Sequence, residues 1–216
     1  MKFRMMMDGW SLGVVPVVIV VLLLLILLLW DSLFYPLLLR VFYPMSSQYL
    51  HHRIVLVTGA GRQQGIGYNL AKSFLEQGCH VILWDIDSEA LAKAKASLIE
   101  HENARINSDN SNSSNSSDSS AAGRITTQIV DVSDFNAVKS SANMLVKNNL
   151  LVSVLVHNAG VVRGKNLLDL TSNDIDMTFG VNVLAQYYSL LCFLPGMIKR
   201  NDGIVVTMSS ISTSSC

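Results

Sequence analysis

From Arg53 onward the sequence alternates between two periodicities, and that alternation limits the fold more than any other feature. RIVLVTG (53–59), HVILWD (80–85), RITTQIVD (124–131), VSVLVHNAG (152–160) and GIVVTMSS (203–210) are short apolar runs and read as buried strands. Between them lie stretches with helical spacing. IGYNLAKSFLEQG carries apolar residues at 66, 70, 71, 74 and 75 and stops at Gly78. SEALAKAKASLIEHE (88–102) reads as a helix with Ser88 as its N-cap, and SDFNAVKSSANMLVKNN (133–149) as another. A longer helical stretch covers 171–200, interrupted or ended near Pro195. Five strand–helix alternations predict an α/β fold, a parallel sheet wound on both faces. Right-handed crossovers then leave the strand order 3-2-1-4-5 as the expectation.

One stretch breaks the pattern. NARINSDNSNSSNSSDSSAAG, with its flanks 103–123, is rich in Ser, Asn and Asp and has almost no apolar residue to bury, so it predicts a disordered loop. Its N-x-Ser sequons at Asn112 and Asn115 would matter only if the domain faced a lumen, and in so biased a segment they arise by chance.

Ahead of the alternating region, Ser11 to Trp30 is 20 residues without a charge. At ~1.5 Å per residue it spans roughly the ~30 Å hydrocarbon core of a bilayer. The core of a secretory signal is usually shorter, at ~7–15 residues, and is followed by a small-residue cleavage site. Here WDSLFYPLLLRVFYP follows instead. Trp10, Trp30, Tyr35 and Tyr43 suit the interfaces, and 33–44 reads as a segment along the membrane surface or a re-entrant turn. Residues 1–50 are therefore assigned to a membrane anchor and 51–216 to the α/β domain. Lys2 and Arg4 before the run and Arg40 and Arg53 after it leave the orientation undetermined.

Composition excludes other classes. The formal net charge is +0 and no basic stripe argues for nucleic acid. The cysteines, Cys79, Cys192 and Cys216, share no close spacing, so no disulfide framework and no metal site is expected.

The chemistry concentrates where strands end. TGAGRQQGIG (58–67) follows the first strand and opens the first helix. Glycines there permit a tight turn and a close approach of backbone N–H groups to a pyrophosphate, with the helix dipole behind them. The second strand ends in Asp85, which can accept hydrogen bonds from both ribose hydroxyls and repels a 2′-phosphate, favouring NAD over NADP. Arg62 in the glycine turn pulls toward NADP.

TGAG…GIG, Asp131-Val132, Asn158–Gly160, Asn182 within VNV, and IVVTMSS, in that order, resemble the short-chain dehydrogenase/reductase family over roughly 53–212. HNAGVVRGKNLLDLTSNDIDMTFGVNV, LWDID and the apolar N-terminus are most similar to its membrane-anchored retinol and 17-beta-hydroxysteroid dehydrogenases. The resemblance implies a Rossmann-type domain and an NAD(P)-dependent oxidoreductase on a lipophilic alcohol or ketone. It implies residence on the endoplasmic reticulum membrane or lipid droplets and leaves a homodimer open, while the cysteines without a disulfide framework point to a reduced domain facing the cytosol. It places Gly59, Gly61, Gly65, Ile66 and Gly67 on the phosphate turn, Asp85 on the ribose, and Asp131 and Val132 on the adenine. Asn158, Ala159 and Gly160 would line the cofactor, Asn182 would hold a proton-relay water, and Ser210 would hydrogen-bond the substrate oxygen.

Two departures stand out. The glycine turn carries RQQ between Gly61 and Gly65, two residues more than the family pattern, so the extra residues must bulge outward or distort the cradle. The family's Tyr-x-x-x-Lys does not follow Ser210, and Tyr68 with Lys72 falls inside the first helix. The expectation is a C-terminally incomplete, inactive enzyme whose last strand leaves an open sheet edge. The alternative is an inactive nucleotide-binding protein of membranes or lipid droplets. The run 11–30 predicts integral attachment: alkaline carbonate should leave the full chain in the membrane pellet, and deletion of 1–45 should free it. Release of most of the intact chain by carbonate would exclude the anchor.

Overall fold

The computed structural model describes residues 50–109 and 121–209. The run 11–30, the segment 33–44, most of the Ser/Asn-rich insertion and Ser210 lie outside the described residues. Five strands, β1 (Ile54–Thr58), β2 (His80–Asp85), β3 (Ile125–Ile129), β4 (Val154–His157) and β5 (Ile204–Thr207), form one sheet. All neighbours are parallel and the order is β3-β2-β1-β4-β5, as the alternation predicts. The helices are α1 (Ile66–Glu76), α2 (Ser88–Asp109), α3 (Phe135–Lys147), α4 (Ser172–Phe179) and α5 (Ala185–Arg200).

Successive strand side chains point to opposite faces, so each central strand feeds two cores. Val55, Val57, Val81 and Leu83 pack with Ala71 and Leu75 of α1 and Leu91, Ala94 and Leu98 of α2. Leu56, Ile82, Trp84 and Leu155 pack with Val138 and Leu145 of α3 and Phe193 and Met197 of α5. Burial of each Val, Leu, Ile, Phe or Met among them contributes ~1.5–3 kcal/mol. Among the described residues β5 is an edge strand, and its Val205 and Val206 are exposed.

Local chemistry explains the helix ends. Gly78, at φ +81°, takes the left-handed conformation that follows α1, where a side chain would also strike His51. Asp87, and not Ser88, caps α2: its Oδ1 accepts from the N–H groups of Glu89 (3.0 Å) and Ala90 (2.9 Å). Asp134 caps α3 by accepting from Asn136 N–H at 2.8 Å.

Two expectations fail for tertiary reasons. α2 continues to Asp109, so 103–109 belong to the helix and not to the insertion loop. Glu102, fully buried, accepts from Arg105 Nε (3.0 Å) and Nη2 (2.6 Å) and from Arg124 Nη2 (2.6 Å). Arg124 also donates to Leu75 O at 3.1 Å. Burial pushes the Glu102 carboxyl up, but the bonds from Arg105 and Arg124 outweigh it and hold the carboxyl below its ordinary value. This ion cluster joins α2 to the start of β3 across the insertion. The second failure is at Pro195, which lies inside α5 without ending it. Pro195 and Leu191 are both exposed, so the carbonyl left without a donor is on the solvent side. The interruption falls earlier, as a π-helical turn at Gly180–Leu184.

Candidate functional site

The strand order reverses between β1 and β4. Turns leaving their C-terminal ends therefore run to opposite faces of the sheet and open a crevice between them. The walls meet very closely. Gly59 has φ +65°, and a Cβ on it would lie 2.7 Å from Ala159 Cα. A Cβ on Gly67 would lie 2.4 Å from Asn158 Nδ2 and 2.6 Å from Gly59 O. Any side chain at either position would separate the two turns.

Hydrogen bonds fasten this contact. Asn158 Nδ2 donates to Thr58 O and Gly59 O, each at 3.0 Å. Thr58 Oγ1 accepts from Asn158 N (3.1 Å) and Ala159 N (3.0 Å). Gly59 N in turn donates to Trp84 O at 2.7 Å, bringing the end of β2 into the group. The sequence places Thr58 at the head of the glycine motif and at the end of β1, and the structure adds its role as acceptor for the turn after β4.

α1 starts beside this contact. Its N-cap is Gly65, no side chain caps it, and its first turn holds no acidic residue. The N–H dipoles of that end are thus free to face an anion. The inserted residues fold outward. Gly65 N donates to Arg62 O at 2.8 Å, Gln63 Nε2 donates to Lys93 O on α2 at 3.1 Å, and Arg62, Gln63 and Gln64 are exposed. Ile66, the first residue of α1, is also exposed.

Asp85 ends β2 beside the glycine turn. Its Oδ2 accepts from Gly61 N at 2.8 Å and its Oδ1 from Asp87 N at 3.1 Å. A Cβ on Gly61 would lie 2.9 Å from that Oδ2, so the carboxylate and the glycine turn are in contact. Asp131 lies after β3, where its Oδ1 accepts from Ser133 N (2.9 Å) and Ser133 Oγ (2.6 Å). Val132 is buried beside it.

On the other side, Gly160 leads to Val161. Asn182 holds Val161 by both backbone groups: Oδ1 accepts from Val161 N at 2.8 Å and Nδ2 donates to Val161 O at 2.9 Å. Asn182 sits in the π turn, a local widening that recurs at functional sites. Its backbone oxygen accepts from Gln186 Nε2 at 2.9 Å. The loop beyond is pinned by Asp174, which forms a capping box with Thr171 at the start of α4. The hydrogen bond from Lys165 Nζ (2.8 Å), then those from Thr171, hold the Asp174 carboxyl well below the usual carboxylate range. The structure thus gathers Gly59, Gly61, Gly65, Gly67, Asp85, Asn158, Ala159, Gly160 and Asn182 around one crevice.

A further polar pair stands directly behind it. His157, the last residue of β4, is buried, and its Nε2 lies 2.7 Å from Ser189 Oγ on α5. Its Nδ1 is buried without a hydrogen-bond partner. Burial pushes the imidazole down from its ordinary 6.5 to about 4.

A switch-point crevice with a helix N-terminus opening onto it is the dinucleotide-binding architecture of open α/β sheets, and this protein is of that class by fold. A family model described as enoyl-(acyl carrier protein) reductase matches residues 59–216. Estradiol 17-beta-dehydrogenase 11 of Homo sapiens is 33% identical over 171 residues, covering 79% of this chain and 50% of that protein. Epidermal retinol dehydrogenase 2 of Mus musculus is 34% identical over 157 residues, covering 73% and 44%. Among solved structures, a metagenomic short-chain oxidoreductase in complex with NADP superposes with a TM-score of 0.63 at 27% identity, over 79% of this chain and 67% of that one. The chain belongs to the short-chain dehydrogenase/reductase family. It spans about half the length of the curated relatives it matches.

The buried imidazole makes stability depend on pH. Its pKa in the folded chain lies below its unfolded value, so its contribution is intact above pH 6.5 and is lost as pH falls toward 4. Below pH 4 the loss should approach ~3 kcal/mol. Urea midpoints of the chain and of His157→Gln, compared at pH 7.5 and 4.5, check this: the variant should lose less stability on acidification. Equal losses would show that the imidazole does not titrate in this window.

Proposed function

We propose that this chain binds a nicotinamide dinucleotide and serves an oxidoreductase acting on the CH–OH group of a lipophilic alcohol or its ketone. The observation that carries the reading is the contact of Gly59 and Gly67 with Asn158 and Ala159, which sets the uncapped N-terminus of α1 at the switch point. The names of the relatives, an estradiol and a retinol dehydrogenase, support a steroid-like or retinoid-like substrate. The run 11–30 supports attachment to a membrane; the resemblance to the membrane-anchored branch supports the endoplasmic reticulum or lipid droplets as the site, and the cysteines without a disulfide framework support a domain facing the cytosol.

In this reading the α1 N-terminus takes the pyrophosphate, Asp85 the adenine ribose, and Asp131 with Val132 the adenine. Asn158, Ala159 and Gly160 flank the nicotinamide half. A bound dinucleotide supplies hydride transfer at nicotinamide C4. Asp85 supports NAD, because a 2′-phosphate would meet its carboxylate; exposed Arg62 is the counterweight that leaves NADP in play. Ser210 would orient the substrate oxygen, and Asn182 would hold a relay water. The chain's 216 residues contain no Tyr-x-x-x-Lys outside α1, so the proton of the substrate hydroxyl has no partner of the family type among them. That observation also favours a second reading, a catalytically inactive nucleotide-binding protein of a membrane or lipid droplet.

Titration of the full chain in detergent with NADH and NADPH tests the binding. NADH should bind more tightly, and Asp85→Ser should narrow the preference by about tenfold or more as the like-charge repulsion is removed. Tighter NADPH binding by the unaltered chain would give the choice to Arg62. Turnover of a retinol or steroid alcohol with NAD, assayed beside a version extended by a Tyr- and Lys-bearing segment, should be lower by ~10²–10⁴-fold in the 216-residue chain. Equal turnover would require another proton donor among the residues present.

A further inference from the structure

We infer that His157 and Ser189 form a buried clamp between β4 and α5, and that His157 is a positioning residue for the Asn158–Gly160 turn and for the cofactor proposed above. The inference rests on that cofactor reading for its functional part only. His157 ends β4, and the turn begins at the next residue. Its ring is 5% exposed, and Ser189 is 2% exposed. Period-two alternation puts His157 on the same face as Leu155, which packs in the core beneath α5.

The hydrogen-bond geometry assigns the tautomer. Ser189 Oγ lies 2.9 Å from Ala185 O, 3.1 Å from Gln186 O and 2.7 Å from His157 Nε2. A hydroxyl has one proton, and the helix carbonyls, which are pure acceptors, take it. Oγ therefore accepts from Nε2–H, and Nδ1 carries the bare lone pair that finds no partner. A Phe here would bury the same face with no orphaned nitrogen. What the imidazole adds is the Nε2 bond to α5.

That bond completes a frame. Asn182, in the turn that leads into α5, fastens Val161 at one end of the segment 157–161. Ser189, about two helical turns further along, fastens His157 at the other end. The middle is fastened to β1 by Asn158 and Thr58. With both ends tied to one helical stretch, the turn moves only if α5 moves. With Ser189 or His157 removed, the exit of β4 is free to shift against α5, and the donors and carbonyls of the turn lose their fixed direction.

Amide hydrogen exchange and NADH titration of the full chain in detergent test this for the unaltered chain, Ser189→Ala, His157→Phe and His157→Gln. In Ser189→Ala and His157→Phe the amides of Asn158, Ala159 and Val161 should exchange about tenfold faster, with Val55–Val57 unchanged. NADH should bind about tenfold more weakly in both. His157→Gln, which keeps an N–H donor at a similar reach, should restore both readouts to within about threefold. Ser189→Ala removes a single oxygen and decides the matter should the Phe variant misfold. Unchanged exchange at the three amides overturns the clamp, whatever the NADH affinity. Faster exchange with unaltered NADH affinity overturns the positioning role. Faster exchange in the variants of a chain that binds no NADH at all sinks the cofactor reading and the positioning role together, and leaves the clamp standing.

Discussion

The approach of the glycine turn to the end of β4 is the contact on which the rest of the molecule depends. Two missing side chains, at Gly59 and Gly67, let one backbone lie against another at distances no Cβ would allow. Asn158 then uses one amide to satisfy two carbonyls at the exit of β1, and Thr58 uses one hydroxyl to satisfy the two N–H groups that follow β4. Buried polar backbone groups at a strand end have no ladder partner, so this exchange is what lets both strands stop at the same level. The N-terminus of α1, which no side chain caps, inherits its place from it.

The long apolar stretch Ser172–Arg200 shows how the same residues serve two demands. By length and composition alone it would pass for a membrane span. In the fold, Ala185, Ser189, Phe193 and Met197 recur every four residues on the face that meets the sheet, and Tyr187, Leu191 and Ile198 lie on the other. The π turn at its start sets Asn182 at Val161, and the helix proper sets Ser189 at His157. A sheet-covering helix is thereby also the back wall of the crevice.

Much of this was readable from local pattern. Strand apolarity, the spacing in α1 and the glycines of 59–67 are short-range signals, and each led to the element observed. Where local pattern misled, a neighbouring side chain, a distant partner or solvent had decided the outcome. Ser88 is a good cap by type, but Asp87 had already turned its carboxylate onto the N–H groups of Glu89 and Ala90. The polar residues 103–109 looked like loop because their composition promises no burial, whereas Arg105 is held by Glu102, which Arg124 also holds from beyond the insertion. Pro195 is tolerated because the backbone group it orphans faces water.

By itself the sequence determined the order of strands and helices, the parallel sheet, the position of its switch point and the residue types arrayed along the crevice, since these follow from periodicity and from glycines at turns. The tertiary structure decided which polar groups meet. Thr58 and Asn158 are 100 residues apart in the chain, His157 and Ser189 are 32 apart, and Glu102 and Arg124 are 22 apart. A hydrogen bond needs its two atoms within about 3.2 Å, and no local pattern carries that distance. Pairing of β1 with β4, and packing of α5 on β4 and of α2 on β3, brought these groups together, and so assigned a polar partner to residues that the sequence could show only as a terminal Thr, a strand His and a helical Glu.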